Sequence, residues 1–404
     1  PCSPMSNINI FSQIISKLDR SVFNKIAKSK QSDKHNKGFD SWSHLISMLF
    51  CQFAKSQSLR DISNGLRSAT GNLNHMGVNQ APSKSTLSYQ NEKRYYKLFK
   101  EYYFALLNHL GQQAEFRQVK FKIKSKIFLL DSSTISLCLN LFDWAKYKSQ
   151  KGAVKLHTLL DYDGNLPTYV NITNGKTADN KGAYELPLIK SSVIVADRFY
   201  NDFKLLDTWN KSDVFFVLRH KENLRFKSIK ERELPENRHQ NILKDEIIEL
   251  ERETSKKSYS GKLRRVVAYD VEKNVAIEII TNQMSWTANT ISELYKSRWM
   301  IEIFFREIKQ QLHIKSFIGT SENAVQIQIW TALITILILK YLKKIAKYGW
   351  QLSNLVAFIR LNLFVKIELQ KWLDCPFYKP PDRSQKPLQG DLFEDLAENK
   401  LNPV

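Results

Sequence analysis

Lys126-Ile-Phe-Leu-Leu-Asp131-Ser-Ser-Thr134 is a short apolar run closed by a carboxylate, the pattern of a buried strand with an acid at its end. Downstream, Gly152-Ala-Val-Lys-Leu-His-Thr-Leu-Leu-Asp161 alternates as a second strand. Asp163-Gly164 supplies a hairpin turn, and Leu166-Pro-Thr-Tyr-Val-Asn-Ile-Thr173 returns as its partner. A short helix is expected from about Gly182 to Ile189, weakened in its second half by Pro187. Ser192-Val-Ile-Val-Ala196 then reads as a buried strand that stops at Asp197. An acid after an apolar run often serves only as a turn former, and Ser132 beside Asp131 suits that use too.

Strand, hairpin, helix, strand is the opening order of a ribonuclease-H-like α/β fold, in which the first and fourth strands lie side by side. Asp131 and Asp197 would then converge. Val214-Phe-Phe-Val-Leu218 adds a strand, the chain is highly charged from His220 to Lys262, and Val266–Tyr269 and Ala276–Ile280 read as further strands. The expected organisation is a helical DNA-binding domain over 1–115 and a first part of the core over 120–218. An inserted, mainly β subdomain over 219–284, a second part of the core over 285–350, and a C-terminal helix and polar tail over 351–404 follow.

In the first region, Ile10, Ile14, Ile15, Leu18, Val22 and Ile26 recur at helical spacing, as do Leu45, Met48, Leu49 and Phe53. Ser58–Leu66 reads as a short helix, and Pro82-Ser83-Lys84 opens a second one with Ser83 as N-cap. The pair suggests a helix-turn-helix that would leave Lys84, Ser85, Ser88, Lys93 and Arg94 free to touch phosphates or base edges. An ordinary bundle with a solvated basic face is the alternative.

Farther on stands Tyr295-Lys-Ser-Arg298-Trp-Met-Ile-Glu302-Ile-Phe-Phe-Arg-Glu-Ile-Lys309, free of Gly and Pro and expected to be one helix. At 100° per residue, Tyr295, Arg298, Glu302 and Lys309 fall within a stripe about 60° wide. A surface ladder of ion pairs would use the same residues. Together with Asp131 and Asp197, however, Glu302 completes three acids on converging elements. Such a set suits hard divalent cations and phosphoryl transfer, with Mg²⁺ favoured and Mn²⁺ able to substitute.

The spacing Tyr-x2-Arg-x3-Glu-x6-Lys resembles the YREK signature of bacterial insertion-sequence DDE transposases of the insertion-sequence-4 group. Asp131-Ser-Ser-Thr-Ile, Lys151–Asp161, Ile172-Thr-Asn-Gly175 and Asp197-Arg-Phe-Tyr200 look like further blocks of that group. The resemblance implies that Asp131, Asp197 and Glu302 are the catalytic metal ligands, and that Tyr295, Arg298 and Lys309 contact phosphates near the transposon end. It implies cleavage at inverted-repeat ends, joining of the freed 3′ ends to target DNA, and a homodimer in the DNA complex. Several members hold a flipped base on aromatic residues, a place Trp286 could take, with simple packing as the other reading. In Lys176-Thr-Ala-Asp179, Ala178 stands where the group has His, which leaves Asp179 without an expected role.

Composition agrees with a polyanionic partner. Of 404 residues, 61 are Lys or Arg against 40 Asp or Glu, a net charge of +21. Cys2, Cys51, Cys138 and Cys375 show no paired spacing and read as reduced, mostly buried thiols. The apolar run Ile327–Leu339 is expected to be a buried helix too short to cross a bilayer, and residues 311–348 a continuous helix backing the sheet. The tail from Asp374 is Pro-rich and polar, an unordered or docking segment. A cytoplasmic, nucleoid-associated enzyme is expected. A hydrolytic nuclease or resolvase of the same fold, or a silent DNA-binding descendant, are the alternatives.

Overall fold

The computed structural model describes residues 7–36, 38–69, 71–113, 123–137, 142, 144, 146–148, 151–234, 241–312, 314 and 317–377. The chain opens with helices α1 (Ile10–Ile15), α2 (Arg20–Ser29), α3 (Ser41–Ala54), α4 (Leu59–Ser68), α5 (Lys84–Lys93) and α6 (Lys97–Gln113). Asn9, Asp19, Asp40, Ser58 and Ser83 each start a helix by accepting a backbone N–H of its first turn. The periodic run from Ile10 to Ile26 is therefore two helices, because Asp19 accepts from the Val22 N–H at 3.0 Å and begins the second. Residues 69–83 separate α4 from α5, far more than the three or four residues of a tight helix-turn-helix.

The central region carries β1 (Ile127–Leu137), β2 (Lys146–Lys148), β3 (Lys151–Asp161), β4 (Leu166–Asn174), α7 (Asp179–Ala183), β5 (Val193–Ala196), α8 (Phe203–Lys211) and β6 (Phe215–Arg219). Next come β7 (Phe226–Glu231), β8 (Ile242–Leu250), α9 (Glu253–Ser258), β9 (Leu263–Asp270) and β10 (Val275–Thr281). Among the described residues the ten strands form one sheet in the order β2-β3-β1-β5-β6-β10-β9-β8-β7, with β4 also paired to β3. β1, β5 and β6 are parallel, and β3 and β10 flank them antiparallel. The strands of 219–284 thus extend the main sheet through the β6–β10 pair. The helix expected over 182–189 lies earlier and is shorter, ending at Ala183.

Alternation along the strands feeds two cores. Ile127 and Leu129 join Val193, Val195 and the helices α10 (Ala288–Ser297) and α11 (Trp299–Gln311) on one face. Phe128, Leu130, Ile194 and Ala196 face α8 through Leu205, Leu206 and Trp209 on the other.

The stretch after α11 leaves the helix at Leu312, and α12 (Glu322–Ile345) begins afresh where Ser321 accepts from the Ala324 N–H at 3.2 Å. A Cβ on Gly319 would sit 2.5 Å from that of Ala324, so the bend needs a residue without one. α12 packs chiefly among α3, α5, α6, α11 and α13 (Leu352–Leu361), as the hub of a helical layer rather than a backing for the sheet. It is also longer than the apolar run suggested: its length and composition would suffice to cross a membrane, yet 94% of its apolar window is buried within the protein. Backbone N–H groups of Ile10 and Phe11 donate to Val365 and Leu363 at 3.0 and 2.9 Å, joining α1 to the segment before α14 (Leu369–Asp374). Cys51 is buried and Cys375 exposed, so the thiols are not uniformly hidden. Cys2, Cys138 and the tail from residue 378 lie outside the described residues.

Candidate active site

Asp131 is not the last residue of its strand, since β1 continues to Leu137 with Asp131 paired to Thr158 of β3. Ser133-Thr-Ile-Ser-Leu137 alternates polar and apolar and keeps the strand going. What stops at this point is the other neighbour. The parallel pairing of β1 with β5 ends at Leu130 opposite Ala196, and Asp197 follows as the cap of a short helical turn, its Oδ1 accepting from Phe199 N–H at 2.8 Å. Two acids therefore sit side by side where the sheet opens, one on β1 and one just past the end of its parallel neighbour β5.

The third acid comes from the helices above. The expected single helix is two, α10 and α11, meeting at Arg298 with φ −51° and ψ −32°. The backbone stays right-handed there, so the side chains of the stripe keep their common direction. Arg298 bonds Glu302 through Nη2, lies 3.7 Å from Asp131 Oδ2 through Nη1, and covers the Tyr295 ring at 5.9 Å. Asp131, Glu302, Arg306 and Lys309 line one open cleft of about 370 Å³.

Burial is the main force on these acids. It pushes the Asp131 carboxyl up to about 7, with Asp197 and Glu302 adding repulsion and the Ser132 N–H and Arg298 opposing. Asp197 is raised as well, again by burial first, against the Phe199 N–H and Arg298. Burial likewise raises the Tyr295 phenol, against the pull of Arg298. The guanidinium feels burial too, but Tyr295, Glu302 and Asp131 outweigh it and hold its proton more firmly.

Of the other residues singled out, Lys84 is exposed at the start of α5. Arg94 is not free for a ligand: it is 5% exposed and donates to the carbonyls of Asp40 and Phe39 at 3.1 Å and to Asp33 Oδ1 at 3.3 Å. A buried guanidinium needs those acceptors, and they lie within its own helical region. Lys93 is exposed and paired with Glu92. Trp286 is partly buried against Phe215 with ring centres 6.0 Å apart, and its carbonyl accepts from Arg264 at 2.7 Å. Sequence reasoning passed over Arg306, one turn beyond Glu302, and the group formed by Ser132, Lys155 and Asp179. The i+4 spacing would have exposed the former.

A mixed α/β sheet with acids gathered beneath a cationic helix, in so basic a chain, fits the transposase class of enzyme. Residues 122–338, more than half of the chain, match the family described as transposase DDE domain, and the chain belongs to it as a transposase of the bacterial insertion-sequence kind. Residues 6–79 match a domain of unknown function, DUF4372. A probable transposase for insertion sequence element IS5377 from Geobacillus stearothermophilus is 28% identical over 277 residues, 68% of this chain and 72% of that protein. A Synechocystis protein assigned as a transposase for insertion sequence element IS4SA is 26% identical over 292 residues, covering 72% and 80%. One chain of a piggyBac transposase synaptic complex with hairpin DNA overlays at a TM-score of 0.39 and 10% identity, over 97% of this chain and 83% of that one.

Transposase DDE domains use divalent metal ions. The donor chemistry here fits such an ion: three carboxylates supply only oxygen, and the most buried of them is repelled by the other two. Among the described residues no three acidic, imidazole or thiol groups stand in a finished coordination cluster, and Arg298 bridges Asp131 and Glu302 in this conformation.

Proposed function

We propose that the enzyme belongs to the insertion-sequence-4 group, cuts DNA at the inverted-repeat ends of its element and joins the freed 3′ ends to target DNA. The observation that carries this reading is the gathering of Asp131, Asp197 and Glu302 around Arg298 where the β1–β5 pair opens. The order β4-β3-β1-β5-β6, with the first three antiparallel and the last three parallel, supports a ribonuclease-H-like core.

Asp131, Asp197 and Glu302 would hold the ion, Mg²⁺ by preference with Mn²⁺ in its place. Bound there, it would supply activation of an attacking water or 3′-hydroxyl and neutralisation of the leaving oxygen. Arg298 is preorganised by Glu302 and Tyr295 to turn its remaining N–H groups to a phosphate. Lys309 and Arg306, on the same cleft wall, add positive charge along the strand path. Tyr295 keeps its hydroxyl proton at neutral pH and so donates to a phosphate oxygen rather than repelling it. The chain would work as a homodimer on DNA, in the bacterial cytoplasm at the nucleoid. The first helices would form the DNA-binding region, with Lys84 on its exposed face, and 219–284 would be an elaboration of the core.

The test uses purified protein, DNA ends of the element, Mg²⁺ or Mn²⁺ and a plasmid target. Asp131→Ala, Asp197→Ala and Glu302→Ala should each abolish cutting and joining while DNA binding persists. Cutting at the unaltered rate by any of the three refutes the assignment.

A further inference from the structure

We infer that Asp179 is a positioning residue for the acid site: held by Lys155 and acting through Ser132, it fixes the part of β1 that presents Asp131. The inference rests on the reading of Asp131 as a ligand for the divalent ion. Asp131 faces α11, and the hydroxyl of the next residue, Ser132, turns to the other face of the sheet, toward α7, although the residue also lines the cleft. There the Ser132 hydroxyl donates to Asp179 Oδ1, and Lys155 Nζ donates to the same oxygen at 2.9 Å and to the Thr177 carbonyl at 2.8 Å.

The register puts the whole cluster on that second face. Ser132 lies opposite His157 and Thr134 opposite Lys155, and α7, which begins at Asp179, packs directly on β3. A Cβ on Gly182 would come within 2.6 Å of His157 Nδ1, so α7 reaches its close seat only because that residue has none.

The clamp is placed where β1 needs it. Up to Leu130 the strand is bonded on both sides, to β3 and to β5; from Asp131 onward β5 is gone and β3 alone holds it. A strand bonded on one side twists more freely, and the acid site begins at that residue. Ser132 is tied twice: its N–H donates to Asp131 Oδ1 at 2.7 Å, and its hydroxyl reaches Asp179. Asp179 thus holds, from the face of the sheet, the residue that β5 no longer holds at its edge. The loss of such outer support at metal sites commonly costs ten- to a hundredfold in affinity.

The experiment is Mn²⁺ binding to the full-length protein without DNA, followed by electron paramagnetic resonance of the free ion, with short-duplex binding and thermal melting measured on the same samples. Asp179→Ala and Ser132→Ala should each weaken Mn²⁺ binding by about ten- to a hundredfold, with no further loss in the double variant and with duplex affinity unchanged. Asp179→Asn keeps an oxygen to accept the Ser132 hydroxyl and should stay within about threefold of the unaltered protein. Equal losses for Asp179→Asn and Asp179→Ala would make Asp179 a ligand and overturn the inference. Unchanged affinity in Ser132→Ala, which leaves Asp179 intact, would overturn it as well. Asp131→Ala separates the two levels. If Asp131→Ala lowers Mn²⁺ binding and Asp179→Ala does not, only this inference falls. If the unaltered protein binds no Mn²⁺, or binds it independently of Asp131, the reading of the site falls with it.

Discussion

His44 gives the sharpest quantitative expectation. Its imidazole is fully buried in α3, bonded at 2.7 Å through Nε2 to Asn91 Oδ1, packed edge-on against Phe99, and faced by Arg94. Burial first and Arg94 second push it from its ordinary value of 6.5 down to about 3. Between those two values the unfolded chain binds a proton that the folded chain refuses, so stability is present above 6.5 and lost as the pH falls toward 3. From these values the loss between pH 7.5 and pH 5 is about 2 kcal/mol. In His44→Gln the amide keeps a donor for Asn91 and has nothing to titrate. Urea unfolding at pH 7.5, 6 and 5 should therefore show the unaltered protein losing about 2 kcal/mol more than the variant over that range. Parallel pH profiles for the two would refute the buried, neutral state of this ring.

Three further outcomes follow from the geometry. Arg298→Ala or Lys309→Ala should each flatten the dependence of log affinity for end DNA on log salt by about one unit, read by fluorescence anisotropy over a salt series; an unchanged slope counts against their phosphate contacts. Arg94→Ala should lower stability by on the order of 2–3 kcal/mol in urea unfolding, because two carbonyls and Asp33 lose their donor, and should leave that same salt slope where it was. Gly182→Ala should cost about 1–3 kcal/mol, seen as a lower melting temperature, as the His157 ring yields to the new methyl group.

Local signals carried the sheet's centre. Apolar runs ending in acids marked the starts of β1 and β5, and the Asp163-Gly164 turn marked the hairpin, since each is decided by residues close in sequence. What escaped depends on distant partners. Arg94 reads as a surface cation in the sequence because nothing beside it announces Asp33, Asp40 and Phe39, more than fifty residues earlier. The pairing of β10 with β6, which makes the block 219–284 part of the main sheet, is likewise invisible until the register is known. The division at Arg298 had no warning, for neither Gly nor Pro marks it. The partnership of Asp179 with Lys155 and Ser132 needed the register of β1 on β3, where a one-residue slip would have put the three on opposite faces.

The sheet extension also sets a clock. Glu302 follows Asp197 by 105 residues (302 less 197), and the chain between them leaves the centre through β6, travels out to β7 and returns through β10 before α11 can cover β1. At 5–20 residues per second of synthesis, the ribosome takes about 5–20 s to cross that interval. During that time a nascent chain carries two of its acids and none of the helix that completes them. The long detour separates the third acid of the cleft from the first two in time, so a translation product that stops within the interval carries Asp131 and Asp197 without Glu302.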